Sequence, residues 1–436
     1  ADIEELPAIM DVKAALTSDN FVHDEIGTNQ CFDWGWIEDN RRATDDAIKG
    51  AAHVTTLELV NNRLVPNAME PRCSMASYKE SSDEYTLHTT SQNPHLTRLL
   101  ISAFVMGIPE NKLTVIAPDV GGGFGSKIYH YGEEALVLAA AKRVGRTVKW
   151  TSDRTEAFLT DAHGRDHVTT IELATDAEGN FLAFRTETYA NVGAYLSNFA
   201  TATPTFLHGT LMAGNYTVPN VYVNVKAVFT NTAPVDAYRG AGRPEATYSL
   251  ERVIDKCARE LGMDPIALRR KNFIKPDQYP FASAAGLEYD SGNYDALMDK
   301  MEEVADVAGF AERRKASEAK GLLRGFGVNA YVEACGIAPS NLVGVLGSRV
   351  GLYDAATVRV NATGNLSVMV GAHSHGQGHE TVFPQIVADM LGIDAQSIDI
   401  VHGDTSKIPF GMGTYGSRSL AGCGSAVVRA TEKIIA

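Results

Sequence analysis

The sequence has little positive charge and no long apolar run, which argues against two classes of binding protein. Its 436 residues contain 39 Lys and Arg against 53 Asp and Glu, a formal net charge of −14. Proteins that bind phosphate backbones or anionic lipid usually carry an excess of positive charge. The longest apolar run, residues 99–108, is far shorter than the roughly 18 to 20 residues that span a membrane. We therefore expect no nucleic-acid partner and no transmembrane segment.

Cysteine is scarce and never occurs as a CxxC pair. The five cysteines are widely spaced, at Cys31, Cys73, Cys257, Cys335 and Cys423. Scattered cysteines in odd number are typical of a reducing compartment and of small buried side chains, so we expect a cytoplasmic protein without a cysteine metal cage. The first residues, ADIEE, lack an initiator Met and both regions of a secretory signal. This start predicts a segment of a longer chain.

Composition and local patterns predict an α+β fold. With 44% hydrophobic and 21% charged residues, the chain can form two to three folded units and is not generally disordered. Strands and helices alternate without a regular βαβ repeat, which favours mixed sheets and helices over a doubly wound sheet. Two hairpins are predicted, residues 167–175 with 181–189 around Gly179-Asn180, and residues 356–360 with 366–370 around Gly364-Asn365.

The pattern between residues 188 and 310 predicts a buried segment, three helices and one boundary. No charged residue occurs between Thr188 and Val225, so we expect this stretch inside the protein, lining a cavity or forming plain core. One helix begins near Pro244 and ends at Gly262, and Asp264-Pro265 starts the next. The polar stretch 275–293 is the best internal boundary, and a helix over 294–310 follows it.

The first of four Gly-rich loops, here called the glycine loop, covers residues 119–127 (DVGGGFGSK). It lies between a predicted strand at 113–117 and a predicted helix at 133–144. Its backbone N–H groups can hold oxyanions, or its glycines can form a tight structural turn. It matches neither a P-loop, since Ser126 separates Lys127 from the last glycine, nor a dinucleotide fingerprint, which needs Gly or Ala at position 126.

The second loop, the arginine loop, covers residues 237–245 (AYRGAGRPE) and precedes a helix. Arg239 and Arg243 at this helix start suit an anionic or oxygen-rich ligand. The alternative is an Arg–carboxylate pair that caps the helix.

The third and fourth loops are rich in histidine and in hydroxyl groups. The histidine loop, residues 373–380 (HSHGQGHE), suggests zinc, but HExxH is absent and no cysteine is near. Gly376-Gln377-Gly378 before a helix, predicted over 382–391, is better interpreted as a phosphate cradle. The hydroxyl loop, residues 403–419, either wraps a polar ligand tail or satisfies its own backbone.

Together, the four loops in this order resemble the molybdenum-binding large subunit of the xanthine oxidase family. The match includes residues 63–72 (RLVPNAMEPR) and 161–167 (DAHGRDH) and extends to the C-terminus. The nearest branch is that of the aerobic carbon monoxide dehydrogenase large subunits. The resemblance implies a remnant of a preceding domain at 1–20, a first molybdopterin-binding domain at 21–285, and the N-terminal part of a second at 286–436.

The resemblance also implies roles for individual residues. Gln92 matches a glutamine that hydrogen-bonds an oxygen ligand of molybdenum, and Arg239 and Arg243 are implied to orient substrate near the metal. Gln92, Phe124, Arg239 and Arg243 are thus the expected catalytic residues. No side chain of this chain is expected to ligate the metal directly. The expected cofactor contacts are Gln92, Gly122, Gly123, Phe124, Gly125, Arg239, His375, Gly376, Gln377, Gly378, His379, Thr414, Tyr415, Gly416, Ser417, Arg418 and Ser419.

Cofactors and partners follow from the same resemblance. The family holds molybdenum on molybdopterin, usually as the cytosine dinucleotide in bacteria. Electrons are expected to leave to a [2Fe–2S] small subunit and an FAD-binding medium subunit, in a dimer of heterotrimers. A second molybdopterin-binding chain is a further possible partner, because the sequence resembles only part of a full subunit.

Three departures from the family pattern bear on the reaction. Gly240 stands where copper-containing carbon monoxide dehydrogenases carry a copper-ligating cysteine, so the loop resembles the copper-lacking form. Ile128 stands where xanthine-type enzymes carry a substrate-binding carboxylate, which argues against purine substrates. The general-base glutamate of the family has no counterpart before Ala436.

The sequence therefore predicts the large subunit of a molybdenum hydroxylase that oxidises a small carbon substrate with water as oxygen source. True carbon monoxide oxidation is one alternative. The others are a cofactor-free scaffold and a zinc hydrolase.

Overall fold

The computed structural model describes residues 2–337, 344 and 352–436. Its strands are β1 Gln30–Trp36, β2 His53–Asn61, β3 Cys73–Lys79, β4 Glu84–Thr89, β5 Leu113–Ile116, β6 Val148–Thr151, β7 His167–Thr175, β8 Phe181–Gly193, β9 Asn220–Phe229, β10 Phe281–Ala282, β11 Glu288–Tyr289, β12 Ala356–Val360, β13 Leu366–Val370 and β14 Ile398–Val401. Its α-helices are α1 Val12–Ala15, α2 Arg41–Gly50, α3 Pro94–Leu100, α4 Gly132–Val144, α5 Arg154–Thr160, α6 Phe206–Gly209, α7 Arg243–Glu260, α8 Pro265–Asn272, α9 Tyr294–Val304, α10 Phe310–Glu318, α11 His379–Leu391 and α12 Ser425–Ile435.

The largest sheet has the strand order β1-β9-β8-β7-β2. Strands β8 and β9 are parallel and the other neighbours are antiparallel. Helix α7 packs against β2 and β7 and buries Leu250, Val253, Ile254 and Cys257 in the core. The predicted hairpin is confirmed, with β8 four residues longer than expected. These mixed sheets confirm the α+β class.

A second sheet, with the order β5-β4-β3-β6, carries helix α4 on one face. Strands β4 and β5 run parallel, so their carboxyl ends lie at the same edge. Strand β4 leads to Gln92 within three residues, and β5 leads to the glycine loop. The parallel pairing of β4 and β5 therefore brings the segment that contains Gln92 next to the glycine loop.

A third sheet, with the order β12-β13-β14, packs against helices α11 and α12. The second predicted hairpin is confirmed with its expected bounds, 356–360 and 366–370. Strands β13 and β14 are parallel, so the histidine and hydroxyl loops leave from the same edge. This edge docks on the second sheet, since the N–H of Ala117 donates to the carbonyl of Gly403 at 2.8 Å.

Two sequence predictions need correction. The single helix over 294–310 is wrong: α9 ends at Val304, and α10 begins at Phe310 after Asp306 adopts a left-handed φ of 46°. The cysteines are free, as expected, but only Cys257 and Cys423 are buried, and Cys335 is exposed. A free thiol can occupy a surface position because no bridge constrains it.

The charge-free segment lies mostly inside the protein, as predicted. Its residues outside 194–201 are largely buried, within β8, β9 and the connection through α6. Exposure is confined chiefly to Tyr195 and Leu196 and their neighbours. Among the described residues, no helix combines the length and the apolar character that crossing a bilayer requires.

Leu173→Ala tests the core of the largest sheet. Leu173 is fully buried on β7, so removing its side chain leaves a cavity, and we expect the free energy of unfolding to fall by about 3 kcal/mol. Leu159→Ala, at a 71% exposed position on α5, is the matched control and should change it little. Urea titrations of both variants measure the difference. Equal losses would contradict this description of the core.

Candidate functional site

A cavity of about 440 Å³ lies where the loop-bearing edges of the second and third sheets meet. All four Gly-rich loops contribute to its walls. The predicted residues that line it are Gln92, Phe124, Gly125, Arg239, Arg243, His375, Gln377, His379, Thr414, Tyr415, Gly416, Ser417, Arg418 and Ser419. Gly122, Gly123, Gly376 and Gly378 were also expected here and are not among the lining residues.

Gln92 joins the two halves of the cavity through one carboxamide. Its Nε2 donates to the carbonyl of Thr414 at 2.9 Å, and its Oε1 accepts from the N–H of Gly125 at 2.9 Å. A Cβ at Gly123 would lie 2.4 Å from this Oε1. Gly123 therefore shapes the cavity indirectly, because only a glycine lets Gln92 approach so closely.

Several hydrogen-bond donors of the glycine loop are already paired with other groups of the protein. The N–H of Gly121 donates to Glu70 Oε2 at 2.7 Å, so it cannot hold an oxyanion as the sequence suggested. Lys127 is buried and donates to the same carboxylate at 3.0 Å. Burial lowers the pKa of Lys127, and Glu70 partly offsets this shift. Phe124, with a left-handed φ of 54°, presents its ring to the cavity.

The two arginines of the arginine loop differ sharply. Arg243 is buried and donates to the carbonyls of Gly240 and Ala334, at 2.6 and 2.7 Å, and pairs with Glu333 at 2.8 Å. Arg239 is exposed at the cavity, and within the described residues its guanidinium has no ion pair, only the Phe124 ring at 5.8 Å. The carboxylate-pair interpretation thus fits Arg243, and the ligand interpretation fits Arg239.

The histidine loop contains neutral histidines. Burial lowers the pKa of His373 to about 4 and that of His375 to about 3. Gln377 bonds locally, with its Oε1 accepting from the N–H of His375 at 2.6 Å. His379 begins α11, and its Nδ1 has no hydrogen-bond partner in the part of the chain that the structure describes. Within residues 2–337 and 352–436, no group of three or more His, Cys, Asp or Glu could hold a metal ion, so zinc has no ligand set there.

Some polar groups of the hydroxyl loop are already paired within the protein, whereas others remain available to a ligand. Arg418 is buried and pairs with Asp354 at 2.7 Å, so its charge is already neutralised. Ser417 donates to Glu333 at 3.0 Å, and Thr414 accepts from Ser419 at 3.1 Å. Among the described residues, the buried hydroxyl of Tyr415, which borders the cavity, has no hydrogen-bond partner. Tyr415 is therefore a polar group of this wall that a ligand could engage.

Several lining residues were missed from the sequence. Phe199 and Leu207 come from the charge-free segment, for which a cavity lining was one of two expectations. Ile337 comes from an extended segment and lies against Gly416, where a Cβ would be 2.2 Å from the Ile337 side chain. No sequence pattern predicts that Ile337 lines the cavity, because its position depends on the contacts that residues 333–336 make.

Comparison with known proteins agrees with this geometry. Sequence models of the molybdopterin cofactor-binding domain match residues 22–273 and 300–436. The chain belongs to the molybdopterin-binding proteins of the xanthine oxidase family. Among its relatives in this family, the carbon monoxide dehydrogenase large chain of Hydrogenophaga pseudoflava is 36% identical over 99% of this chain and 56% of the relative. The nicotine 6-hydroxylase large subunit of Paenarthrobacter nicotinovorans is 32% identical over 89% of this chain and 48% of its own.

A solved structure of the family superimposes closely. The reconstituted CO dehydrogenase from Oligotropha carboxidovorans matches with a TM-score of 0.92 and 35% identity, over 100% of this chain and 56% of that one. The chain thus spans about half the length of the relatives it matches.

Two buried histidines behind the arginine loop generate a pH prediction. The rings of His167 and His208 lie 5.6 Å apart, and burial lowers their pKa values to about 3 and about 4. The unfolded chain therefore takes up these protons first, so stability is fully present above about pH 6.5 and falls below it. We expect each histidine to contribute a loss of about 1.4 kcal/mol per pH unit between pH 6 and 4.5.

Urea titrations at pH 7 and pH 5 measure this dependence. His208→Asn should make the stability fall less steeply with acid, because one of the two groups no longer titrates. Leu159→Ala, which lies at an exposed position on α5 and removes no titratable group, is the control and should leave the slope unchanged. An unaltered slope in His208→Asn would refute the prediction.

Proposed function

We propose that this chain forms the molybdopterin-binding part of the large subunit of a molybdenum hydroxylase. In this proposal the enzyme oxidises a small carbon substrate with water as the source of oxygen. The observation that carries it is the convergence of all four loops on one cavity, joined through Gln92. Because the chain spans about half of its relatives, the activity belongs to a longer protein.

The cavity has the donor chemistry that a pterin nucleotide needs. Hydroxyl, amide and imidazole groups line it, and Tyr415 OH and the Nδ1 atoms of His375 and His379 have no hydrogen-bond partner in residues 2–337 and 352–436. Such donors suit a ligand whose charge is spread over many oxygens. The residues proposed to hold it are Gln92, Phe124, Gly125, Arg239, His375, Gly376, Gln377, Gly378, His379, Thr414, Tyr415, Gly416, Ser417, Arg418 and Ser419, with Gly122 and Gly123 beneath them. We propose the cytosine dinucleotide form.

The bound cofactor would supply two-electron redox chemistry. The residues of this chain supply position and environment. Gln92 is fixed at both ends of its carboxamide, and the second proton on its Nε2 would be available to donate to an oxygen of the bound cofactor. Arg239, which lies beside Phe124 and has no ion pair among the described residues, orients a substrate oxygen or developing negative charge. Phe199, Leu207 and Ile337 make part of the wall apolar and limit water there.

Gly240 favours one of the two substrate classes considered. A glycine has no side chain to ligate copper, so we favour an aldehyde or N-heterocycle as substrate. True carbon monoxide oxidation is the second candidate, and the 36% identity with a carbon monoxide dehydrogenase large chain supports it. A cofactor-free scaffold and a zinc hydrolase are the remaining alternatives, and the second is disfavoured because the described residues offer no group of three or more metal ligands.

The proposal includes redox partners. Electrons would pass to a [2Fe–2S] small subunit and an FAD-binding medium subunit in a cytoplasmic dimer of heterotrimers. A second molybdopterin-binding chain is a further candidate partner. One relative is named as a subunit of a dehydrogenase complex, which supports a multi-subunit assembly.

Elemental analysis of the natively expressed full-length complex tests the proposal, together with release of the pterin nucleotide. Molybdenum and iron without copper are expected, and screening of aldehydes and N-heterocycles then identifies the substrate. Copper at parity with molybdenum would favour carbon monoxide instead. A preparation without molybdenum would overturn the central claim, and stoichiometric zinc would support the hydrolase.

Gln92→Ala tests the link between the loops. It removes two hydrogen bonds at once, so we expect at least a tenfold loss of turnover and a reduced molybdenum content per chain. Gln396→Ala, at an exposed glutamine on the turn before β14, is the control and should change neither quantity. Metal analysis and steady-state assays of the intact complex measure both. Full activity of Gln92→Ala would exclude the proposed role.

A further inference from the structure

We propose that Arg165 is a positioning residue that fixes the arginine loop and, through it, the side chain of Arg239. This inference rests on the proposed function, in which Arg239 orients the substrate. Arg165 itself does not line the cavity. It acts from behind the loop, on backbone atoms.

Arg165 holds two consecutive carbonyl groups of the arginine loop. Its Nη1 donates to the carbonyl of Tyr238 at 2.9 Å, and its Nη2 donates to that of Arg239 at 2.7 Å. The guanidinium is planar and its donors form a rigid fork. Both carbonyls are therefore held in one fixed relation, which a single ammonium group cannot reproduce.

A buried carboxylate balances the charge of Arg165. Glu245 Oε1 lies 3.3 Å from its Nη1, and both side chains are more than nine-tenths buried. Glu245 is in the first turn of α7, so the pair also ties the loop to the start of this helix. The second oxygen of Glu245, Oε2, is buried and has no hydrogen-bond partner among the described residues. The ion pair therefore gives the loop a fixed support on one side.

The turn that carries Arg165 is itself held firmly. Arg165 and Asp166 both have left-handed φ values, 68° and 64°, which non-glycine residues rarely adopt. Asp166 accepts from Arg63 Nε at 2.8 Å and from Asn191 Nδ2 at 2.9 Å. A Cβ at Gly164 would lie 2.4 Å from the Tyr238 side chain, so the turn and the loop are in direct contact.

On the side that faces the cavity, the backbone of the arginine loop is held by one hydrogen bond. The N–H of Arg239 donates to the carbonyl of Phe124 at 2.7 Å. Since no ion pair anchors the Arg239 side chain among the described residues, its position follows from its backbone. That backbone is held between Phe124 in front and Arg165 behind.

The first test is hydrogen–deuterium exchange of the full complex, which needs neither substrate nor turnover. In Arg165→Lys, the peptide that contains residues 237–243 should exchange at least tenfold faster than in the wild type. Arg269→Lys is the matched control, because Arg269 is a fully buried guanidinium paired with Glu251 and lies outside the cavity. Arg269→Lys should leave the exchange rate of this peptide unchanged. Unchanged exchange in Arg165→Lys would overturn the proposal.

The second test is a double-mutant cycle in kcat/KM with Arg239→Ala, on the substrate found by screening. Arg165→Lys alone should lower kcat/KM per molybdenum about tenfold, whereas in the Arg239→Ala background it should change it less than twofold. Equal losses in both backgrounds would overturn the proposal, since Arg165 would then act independently of Arg239. A wild-type complex without molybdenum would instead refute the proposed function, and the exchange result would still decide whether Arg165 fixes the loop.

Discussion

The carboxamide of Gln92 is the contact on which the cavity depends. It lies at the edge where the loops of the second and third sheets meet, and it bonds one backbone group from each side. Two further contacts dock these edges: Ala117 N–H to the carbonyl of Gly403, and Val115 N–H to Thr405 Oγ1 at 2.9 Å. The second sheet brings the Gln92 segment and the glycine loop to its edge, and the third sheet brings the histidine and hydroxyl loops, because each contains a parallel pair of strands. The arginine loop follows β9 of the largest sheet and joins the same space, where the N–H of Arg239 donates to the carbonyl of Phe124.

Local signals in the sequence predicted the local structure well. Both hairpins formed where alternation and a Gly-Asn turn indicated them, because a hairpin is specified by residues within one short segment. The start of α8 was equally clear, since Asp264 accepts from two backbone N–H groups of its first turn. The prediction of one helix over 294–310 was wrong because the backbone turns at Asp306, which has a left-handed φ, and the apolar spacing of the sequence does not reveal this turn.

The sequence predicted most of the residues that line the cavity, but it did not predict which partners those residues contact. The resemblance of the four loops to a family supplied most of the lining residues, although no local rule requires these loops to meet. The sequence could not distinguish Arg239 from Arg243, since that distinction depends on Glu333 and Ala334, about ninety residues further along the chain. Ile337 was missed for the same reason.

Buried guanidinium groups recur in this acidic protein, and each has a carboxylate partner. Arg72 pairs with Asp161, Arg269 with Glu251, and Arg418 with Asp354. Removing one partner of such a pair leaves an uncompensated buried charge, which is far more costly than losing an exposed pair. Arg239 differs from these structural arginines in both respects, because it is exposed and has no ion pair in the part of the chain that the structure describes.

The hydrogen bond between Gln92 and Thr414 spans 322 positions of the chain. During synthesis, a polypeptide emerges from the ribosome N-terminus first, and its early domain can fold while later residues are still untranslated. The wall that Thr414 and its neighbours contribute does not exist at that stage. The cavity is therefore incomplete until the ribosome has translated beyond residue 419, so no ligand that needs both walls can be held before that point.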